Sequence, residues 1–446
     1  MTRHINPSHV WDTVHGEVEL RSDHLYDLMG LQVSPSYIIY RDGDLVKAKN
    51  GKTGVIEFSG SDAAEVIQSA IDALPERGGK IFLRAGDYSP FTISRNFVII
   101  EGEGIGNEAG GATRIVKDSN ISGITIKASH VIIRNIHIKG LNTHTSGQKG
   151  SSGEDTTEGI KIDDAEAMRA AITLEDITVY DCGGDAFYLG ENKSYMIRVK
   201  NCRSIYNNGR GFYGSTLNSV LLENCWSQYG ADDGFRFISC TTVCNIRPIA
   251  EKLASGKYGI YIEGDSGHVI ISPDIENLDA EAIYWAYGSG LVVLGGYIAV
   301  CGGSLGAIYL GGWDGAVLGT RITDTPVDYA MTIYGKGNLV IVRADKPIRN
   351  NSPKPETNTI QVNDGRIFEG VKNGGVATFS GDGSTTQFTI THGVVKEPTV
   401  VNVTPLSADA AGDFYVTKDS TYIYVNYLTA PPSGTDNVIL SWRAEI

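Results

Sequence analysis

The residues with the clearest chemical potential are three aspartates and an arginine in the middle of the chain: Asp185, Arg210, Asp232 and Asp233. Two carboxyl groups held at the right separation can serve as a general acid and a general base. A guanidinium group between them can bind an anionic substrate group or lower the pKa of a neighbouring carboxyl group. These residues are far apart in sequence, so they can act together only if the fold brings them to one place.

A short motif repeats along the chain and could provide that fold. Each copy has a small, an apolar, a variable and a second apolar residue, which is the alternation of a β-strand. The copies begin 23 to 27 residues apart, a period typical of a solenoid. Each period fits one coil of three short strands, and such coils stack about 4.8 Å apart. The eight copies are 158–162, 185–189, 210–214, 233–237, 258–262, 281–285, 306–310 and 329–333.

Coils in register would stack equivalent positions into columns. The first residue of each copy lies at the turn that leads into the strand, and its column is Glu158, Asp185, Arg210, Asp233, Tyr258, Glu281, Gly306 and Tyr329. Asp185 and Asp233 would be two coils apart, about 9–10 Å. Inverting glycosidases keep their two carboxyl groups roughly 6.5–9.5 Å apart, which leaves room for a water molecule.

The variable position between the two apolar residues should point outward. Down the stack it is occupied by Lys161, Tyr188, Tyr213, Arg236, Tyr261, Tyr284, Tyr309 and Thr332. A line of exposed rings suits sugar binding, because the apolar face of a pyranose packs on an aromatic ring. Two other interpretations stay open, since tyrosine is a favourable strand residue and is enriched at subunit interfaces.

Together the columns predict a site near residues 185–285. We expect Asp185, Asp232, Asp233 and Arg210 to be catalytic, with one member of the pair Asp185 and Asp233 as the acid and the other, or Asp232, as the base. The predicted substrate-binding residues are Tyr188, Tyr213, Arg236, Tyr258, Tyr261, Glu281, Tyr284 and Lys161. The rival chemistry is β-elimination on a uronate, whose carboxylate the basic residues would neutralise. A third interpretation is that the aspartates only form turns.

A capping helix is predicted at 62–74, ahead of the repeats. Residues 61–65 give an acidic, capped first turn, apolar residues follow at helical spacing, and Pro75 ends the helix. This block, with 78–83 and 86–88, resembles the first segment of pectate-lyase-like β-helix proteins and is similar to phage tailspikes and polysaccharide depolymerases. The resemblance covers about residues 50–345 and implies a helix that plugs the amino end of the solenoid.

The pair Asp232-Asp233 ahead of a strand resembles the catalytic Asp-Asp motif of polygalacturonase-type glycosidases. In that family the preceding coil supplies an aspartate where this chain has Arg210, and the following coil supplies a histidine where it has Tyr258. The Arg-x-Lys element of the family has no clear counterpart. The resemblances imply a polysaccharide-degrading enzyme of tailspike or depolymerase type, acting on an acidic or surface polysaccharide, with hydrolysis slightly favoured over elimination. A non-catalytic glycan-binding fibre protein and a structural trimer are the alternatives.

The predicted fold class is all-β: a right-handed parallel β-helix solenoid with an N-terminal capping helix and a small C-terminal β-sandwich-like domain. The expected parts are a lead-in or assembly segment at 1–50, the β-helix at 51–345, a linker at 346–374 and a β domain at 375–446. The last part is similar to terminal domains of phage tail fibres, which implies trimerisation or glycan binding. A homotrimer is therefore expected. The polar, glycine-rich insert at 141–157 is predicted to be a mobile loop.

Charge and composition exclude several classes of function. The 446-residue chain has a net charge of −14, which disfavours nucleic acid as a partner. No apolar run is long enough to cross a membrane, and the amino end lacks the apolar stretch of a signal peptide. An extracellular or virion-associated protein that joins a particle is expected.

We expect no cofactor, although acidic turns could hold a surface calcium ion. Cys202 and Cys225 are expected to pack in the core.

Overall fold

Parallel strands stacked along one axis make up most of the molecule. The structure is a computed structural model that describes residues 9–12, 16–19, 35–104, 112–264, 266–362, 372–394 and 397–445. An 11-stranded parallel sheet follows the sequence motif, and we call it the repeat sheet. Its positions pair in register, Tyr188 with Tyr213 and Arg236 with Tyr261. Its strands are Phe91–Ile93, Ile124–Ile126, Ile160–Ile162, Phe187–Tyr188, Phe212–Ser215, Phe235–Ile238, Ile260–Glu263, Ile283–Trp285, Ile308–Leu310, Met331–Ile333 and Ile348–Asn350.

The other segments of the coils form a 22-stranded sheet that completes the solenoid wall. Its strands are Tyr37–Asp42, Leu45–Asn50, Ile56–Gly60, Gly79–Leu83, Gly86–Tyr88, Val98–Gly102, Thr113–Val116, Val131–Lys139, Ala170–Tyr180, Tyr195–Lys200, Arg203–Ile205, Asn218–Glu223, Trp226–Gln228, Thr241–Ile246, Ile249–Glu251, Val269–Ile271, Asp274–Leu278, Val292–Leu294, Tyr297–Cys301, Ala316–Thr323, Leu339–Ala344 and Thr359–Val362.

The inward side chains of these sheets form one continuous core. In the repeat sheet the rings of Phe187, Phe212 and Phe235 stack with centroids 4.7 and 4.9 Å apart. This stacking helps to fix the register, because a slip by one residue would turn the rings towards solvent. Cys202 and Cys225 are fully buried in the same core, which confirms their expected packing role.

Asn245 places a polar side chain in this core. It pairs in register with Leu222 and Ile270 of the neighbouring coils and is 2% exposed. Neither amide atom of Asn245 has a hydrogen-bond partner among the described residues. A buried unsatisfied amide costs about 1–3 kcal/mol. Asn245→Leu is therefore expected to raise the free energy of unfolding by about that amount, measured by urea titration.

Asn338 is the matched control for this prediction. It is as deeply buried as Asn245, but its side chain accepts from the Gly315 N–H at 2.9 Å and donates to the Gly312 carbonyl at 3.2 Å. Asn338→Leu is expected to lower the free energy of unfolding, because it leaves those main-chain groups unpaired. Changes of the same sign in both variants would contradict the explanation.

A helix closes the amino end of the solenoid, as predicted at 62–74. It spans Ala63–Asp72, and the Asp62 side chain accepts the Ala64 N–H at its first turn. Val66, Ile67 and Ile71 are buried in the solenoid core. The helix thus covers the apolar end that an open stack of coils would expose.

The first coil begins earlier than the predicted boundary at residue 51. The strand Tyr37–Asp42 pairs in parallel with Gly79–Leu83 and in antiparallel with Leu45–Asn50. Alternating residues of this hairpin are buried in the solenoid core. A separate antiparallel hairpin joins His9–Asp12 to Gly16–Glu19. The lead-in prediction for 1–50 is therefore wrong for residues 37–50.

The last coil likewise extends into the predicted linker 346–374. Ile348–Asn350 pairs with Met331–Ile333, and Thr359–Val362 pairs with Leu339–Ala344. A 3₁₀-helix at Pro355–Thr357 joins the two segments. Part of the predicted linker therefore forms this turn, and the Asn358 carboxamide ties it to the preceding coil by accepting the Asn338 N–H at 2.8 Å. The linker prediction is therefore wrong up to Val362.

The C-terminal region forms a small β domain with its own core. Two three-stranded antiparallel sheets contribute buried residues such as Phe388, Val425 and Leu440 to one cluster. Its strands are Lys372–Gly381, Gln387–Thr391, Val400–Pro405, Phe414–Lys418, Tyr422–Tyr427 and Gly434–Glu445. The predicted fold class, a parallel β-helix with a capping helix and a sandwich-like C-terminal domain, is confirmed. Within the described ranges, no helix has the length and apolar character needed to span a membrane.

Candidate functional site

The residues that open the repeats lie along one border of the repeat sheet, which we call the leading edge. Main-chain hydrogen bonds connect successive coils there, from the Ala186 N–H to the Arg210 carbonyl and from the Gly211 N–H to the Asp233 carbonyl, each 2.9 Å. The leading edge therefore consists of Glu158, Asp185, Arg210, Asp233, Tyr258 and Glu281 in consecutive coils. The predicted alignment of Asp185, Arg210 and Asp233 is present.

Asp185 and Arg210 form a partly buried ion pair across adjacent coils. Arg210 donates from Nε to one carboxylate oxygen at 2.8 Å, from Nη2 to the other at 2.7 Å, and from its main-chain N–H at 2.7 Å. Burial opposes the charge, but the hydrogen bonds with Asp185 raise the pKa of Arg210. Asp185 thus fixes the guanidinium and caps the next turn, which leaves its oxygens poorly placed to accept a substrate proton.

Asp232 and Asp233 are held differently from Asp185. Asp233 is 2% exposed, and it accepts the Tyr258 N–H at 2.9 Å and Arg236 Nη1 at 3.1 Å. Asp232 is more exposed, and it accepts the Asp233 N–H at 2.9 Å and Lys257 Nζ at 2.8 Å. The pair therefore combines one buried and one accessible carboxyl group.

The pKa of Asp233 lies above its ordinary value. Burial is the main cause, and the negative charge of Asp232 adds to it. The Tyr258 N–H and the charges of Arg236 and Lys257 act in the opposite direction without cancelling the shift. Asp233 therefore holds its proton to higher pH than an exposed aspartate, as a general acid requires.

The outward residues of the repeat sheet form a ladder of rings and cations. The rings of Tyr261 and Tyr284 are 5.4 Å apart and nearly parallel, and Tyr309 continues the stack at 4.7 Å. Arg236 lies 4.3 Å from the Tyr261 ring centroid, and its Nε is buried without a partner among the described residues. The Arg236 side chain as a whole is 30% exposed, so it can contact a ligand although its Nε is buried.

The expected line of exposed rings is wrong in one respect. Tyr213 is only 5% exposed, because the Arg210 guanidinium lies 3.3 Å from its ring centroid and its hydroxyl donates to Glu191 at 2.8 Å. Tyr188 and Tyr261 are half-buried. Tyr213 is thus a support for Arg210 rather than an open sugar platform.

Two further predicted residues have mainly local partners. Glu281 is buried and accepts the Leu305 N–H at 3.0 Å, so it caps a turn of the next coil. Lys161 lies 4.0 Å from Glu158 and 5.5 Å from the Tyr188 ring centroid. Lys161 also lines an open cavity of about 480 Å³ at the amino end of the ladder, whereas the Glu281 carboxylate faces the backbone of the next coil.

The opposite border of the repeat sheet carries carboxylates that the sequence columns missed. Glu263 accepts the Tyr261 hydroxyl at 2.7 Å and the Tyr287 hydroxyl at 3.3 Å. Glu191 accepts the Tyr213 hydroxyl at 2.8 Å. We call this border the trailing edge. The available signal was a glutamate next to a glycine just after a motif copy, as at Glu191 and Glu263.

The insert at 141–157, predicted to be a mobile loop, contacts the solenoid in this structure. The His144 ring stacks on Tyr206 with centroids 3.7 Å apart. The Gly150 N–H donates to the Tyr229 carbonyl at 2.7 Å. Tyr206 and Tyr229 precede the leading-edge residues of their coils by four positions. The insert therefore runs alongside the leading edge and flanks the candidate site.

No group of three or more His, Cys, Asp or Glu in the described part of the chain is arranged to hold a metal ion. The surface calcium ion stays a prediction.

Comparisons with known proteins add little beyond the fold. No protein-family model and no curated protein matches the chain. It is similar to the A-module of mannuronan C-5 epimerase AlgE6 of Azotobacter vinelandii, with 15% identity, a TM-score of 0.47, and coverage of 69% of this chain and 94% of that chain. It is also similar to lidless DFA-IIIase of Arthrobacter chlorophenolicus A6 in complex with GF2, with 13% identity, a TM-score of 0.48, and coverage of 68% and 95%. Likeness at this level says nothing about activity. The predicted resemblance to pectate-lyase-like β-helix proteins is confirmed at the level of the fold. The tailspike type stays a prediction.

Proposed function

We propose that this protein hydrolyses glycosidic bonds in an acidic polysaccharide. The observation that carries the proposal is the buried carboxyl group of Asp233, whose pKa is raised. It contacts Arg236, which in turn covers the ring of Tyr261. A protonated carboxyl group beside a half-buried ring and a cation can donate to a glycosidic oxygen while the sugar packs on the ring.

The two adjacent aspartates have different catalytic roles in this proposal. Asp233 donates its proton to the departing oxygen, and Asp232 takes a proton from the attacking water. Asp232 suits the second role better than Asp185, because Arg210 occupies both oxygens of Asp185. Asp185 is then a positioning residue that holds Arg210.

An acidic substrate follows from the cations of the ladder. The Arg236 side chain is 30% exposed, and Lys161 lines the cavity at the amino end. Both can bind sugar carboxylates by charge-assisted hydrogen bonds. The local charge therefore differs from the net charge of −14 of the whole chain, as a focused patch allows.

Elimination is less well supported than hydrolysis. A lyase needs a base for the sugar C5 proton, and Tyr258 is the phenol at the leading edge. Burial raises the pKa of Tyr258, and the charge of Glu281 adds to that shift. A phenol that keeps its proton is a weak base at neutral pH.

A non-catalytic glycan-binding protein is the second candidate. It is favoured by the observation that Asp185 and Glu281 each cap a turn of the next coil, as structural carboxylates do. The homotrimer and the extracellular or virion-associated location are further proposals that either candidate accommodates.

The test is a reducing-end assay on alginate, polygalacturonate, hyaluronan and xanthan, with neutral dextran as the control polymer. The proposal predicts new reducing ends from at least one acidic polymer and none from dextran. Retained binding without cleavage of any acidic polymer would favour the second candidate.

The pH dependence of cleavage gives a separate prediction. Activity requires protonated Asp233, so it is lost as pH rises through the raised pKa of that group. The positive charge of Lys257 lowers this pKa, so Lys257→Gln is expected to move the alkaline limb of the kcat profile to higher pH. Lys252→Gln is the control, because Lys252 pairs with Glu251. A shift to lower pH in the Lys257 variant would contradict the role of Asp233.

A further inference from the structure

Three large aromatic side chains stand exposed where consecutive coils leave the repeat sheet. Tyr287 is 53%, Trp313 is 51% and Tyr334 is 55% exposed. They follow the strands Ile283–Trp285, Ile308–Leu310 and Met331–Ile333. Exposed aromatic surface that recurs over neighbouring coils marks a binding surface more often than scattered apolar residues do. We call these three residues the trailing platform.

The trailing platform continues the tyrosine ladder. Glu263 accepts the hydroxyls of both Tyr261 in the ladder and Tyr287 in the platform. The Tyr334 N–H donates to the carbonyl of Leu310 at 2.8 Å, and Leu310 is next to Tyr309 in sequence. The stacked rings of Tyr261, Tyr284 and Tyr309 therefore merge with the platform at the carboxyl end of the solenoid.

Two of the platform rings have a charged group beside them. Lys336 Nζ is 5.5 Å from the Trp313 ring centroid, and Glu263 contacts the Tyr287 hydroxyl. Rings that offer an apolar face next to a charged donor or acceptor suit a pyranose, which has an apolar face and a rim of hydroxyls.

We propose that the trailing platform is a polysaccharide-binding subsite that holds the chain beyond the cleavage point. The polymer would extend from Asp233 past Tyr261 towards the carboxyl-terminal coils, with successive sugars packed on Tyr287, Trp313 and Tyr334. This inference rests on the proposed function for the identity of the ligand. It adds a binding region for long chains that short oligomers do not reach.

A second copy of the chain is a weaker occupant for this surface. Each ring carries about 150–250 Å² of surface, so three rings near half exposure offer roughly 200–400 Å². A stable interface buries about 800 Å² on each partner. The platform alone is therefore too small to hold a subunit, and it matches the size of a few sugars.

The experiment compares wild-type protein with the triple variant Tyr287→Ala, Trp313→Ala, Tyr334→Ala by affinity electrophoresis in gels containing each acidic polymer. The triple variant is expected to bind the retarding polymer about tenfold more weakly, on the order of 1.4 kcal/mol. Cleavage of short oligomers should be unchanged. Tyr195→Ala and Tyr415→Ala are controls, since both tyrosines are exposed elsewhere, in the solenoid wall and in the C-terminal domain.

The outcomes separate this inference from the proposed function. The platform is supported if the polymer retards the triple variant less than wild type and leaves the two control variants unaffected. This holds even if the wild-type protein cleaves no polymer, a result that would reject only the proposed hydrolysis. Equal retardation of the triple variant and wild type overturns the platform, as does the absence of retardation by any polymer. Sedimentation of both proteins adds a further check, because a drop in oligomer mass in the triple variant would assign the rings to a subunit contact and overturn the inference.

Discussion

Asp233→Asn is expected to reduce glycan cleavage by about 10²–10⁴-fold, the range for loss of a general acid. The amide keeps the shape of the side chain and can still accept the Tyr258 N–H, but it has no proton to donate to the departing oxygen. The free energy of unfolding is expected to change by no more than about 1 kcal/mol. Initial rates of reducing-end formation and urea titrations measure the two effects.

Asp274→Asn is the matched control. Asp274 is an exposed aspartate at the start of a strand in the 22-stranded sheet, away from the repeat sheet. Its variant should cleave at the wild-type rate. Full activity of Asp233→Asn, or an equal loss in both variants, would contradict the assignment of the acid.

Lys117→Met is expected to cause the largest loss of stability, about 3–5 kcal/mol, because it leaves a buried carboxylate without its counter-ion. The Lys117 ammonium lies 2.7 Å from both oxygens of Asp155 and from the Thr157 hydroxyl. Both charged side chains are fully buried. Chemical denaturation followed by circular dichroism measures the loss.

Two further variants test the cause of that loss. The double variant Lys117→Met, Asp155→Leu is expected to recover part of it, since no lone charge remains buried. Arg198→Met removes an exposed ion pair with Glu223 and should cost about 1 kcal/mol or less. Equal losses in Lys117→Met and Arg198→Met would show that burial of the pair does not matter.

The same ion pair links stability to the candidate site. Asp155 also accepts the N–H groups of Thr157 at 3.0 Å and Leu141 at 3.3 Å, so it ties both ends of the insert at 141–157. Glu158, which belongs to the leading edge, comes directly after the insert in the sequence. Variants that release the insert should therefore also weaken glycan binding near the leading edge.

The sequence was sufficient to predict the columns of the solenoid. The alternation within each motif copy allows one inward face, and a slip by one residue would expose Phe187, Phe212 and Phe235 together. The register and the leading-edge order therefore follow from the spacing of the copies. The capping helix was also predictable, because its cap, apolar spacing and terminating proline all lie within one short segment.

Contacts within the columns could not be predicted in the same way. Whether Arg210 pairs with Asp185 or points to solvent depends on side-chain torsions, and the covering of Tyr213 follows from that choice. The last coil was missed because a β-helix turn and a linker share the same Asn, Pro and Ser composition. Strand pairing with the preceding coil and the hydrogen bond from the Asn338 N–H to Asn358 distinguish the two.

The most direct test of hydrolysis at Asp233 is product mass after digestion in water enriched in heavy oxygen. Wild-type protein is expected to release fragments that each carry one added water, with the label in the new reducing end, and Asp233→Asn should release almost none. Fragments without added water would indicate elimination. If Asp233→Asn forms labelled fragments as fast as the wild-type protein, Asp233 is not the general acid.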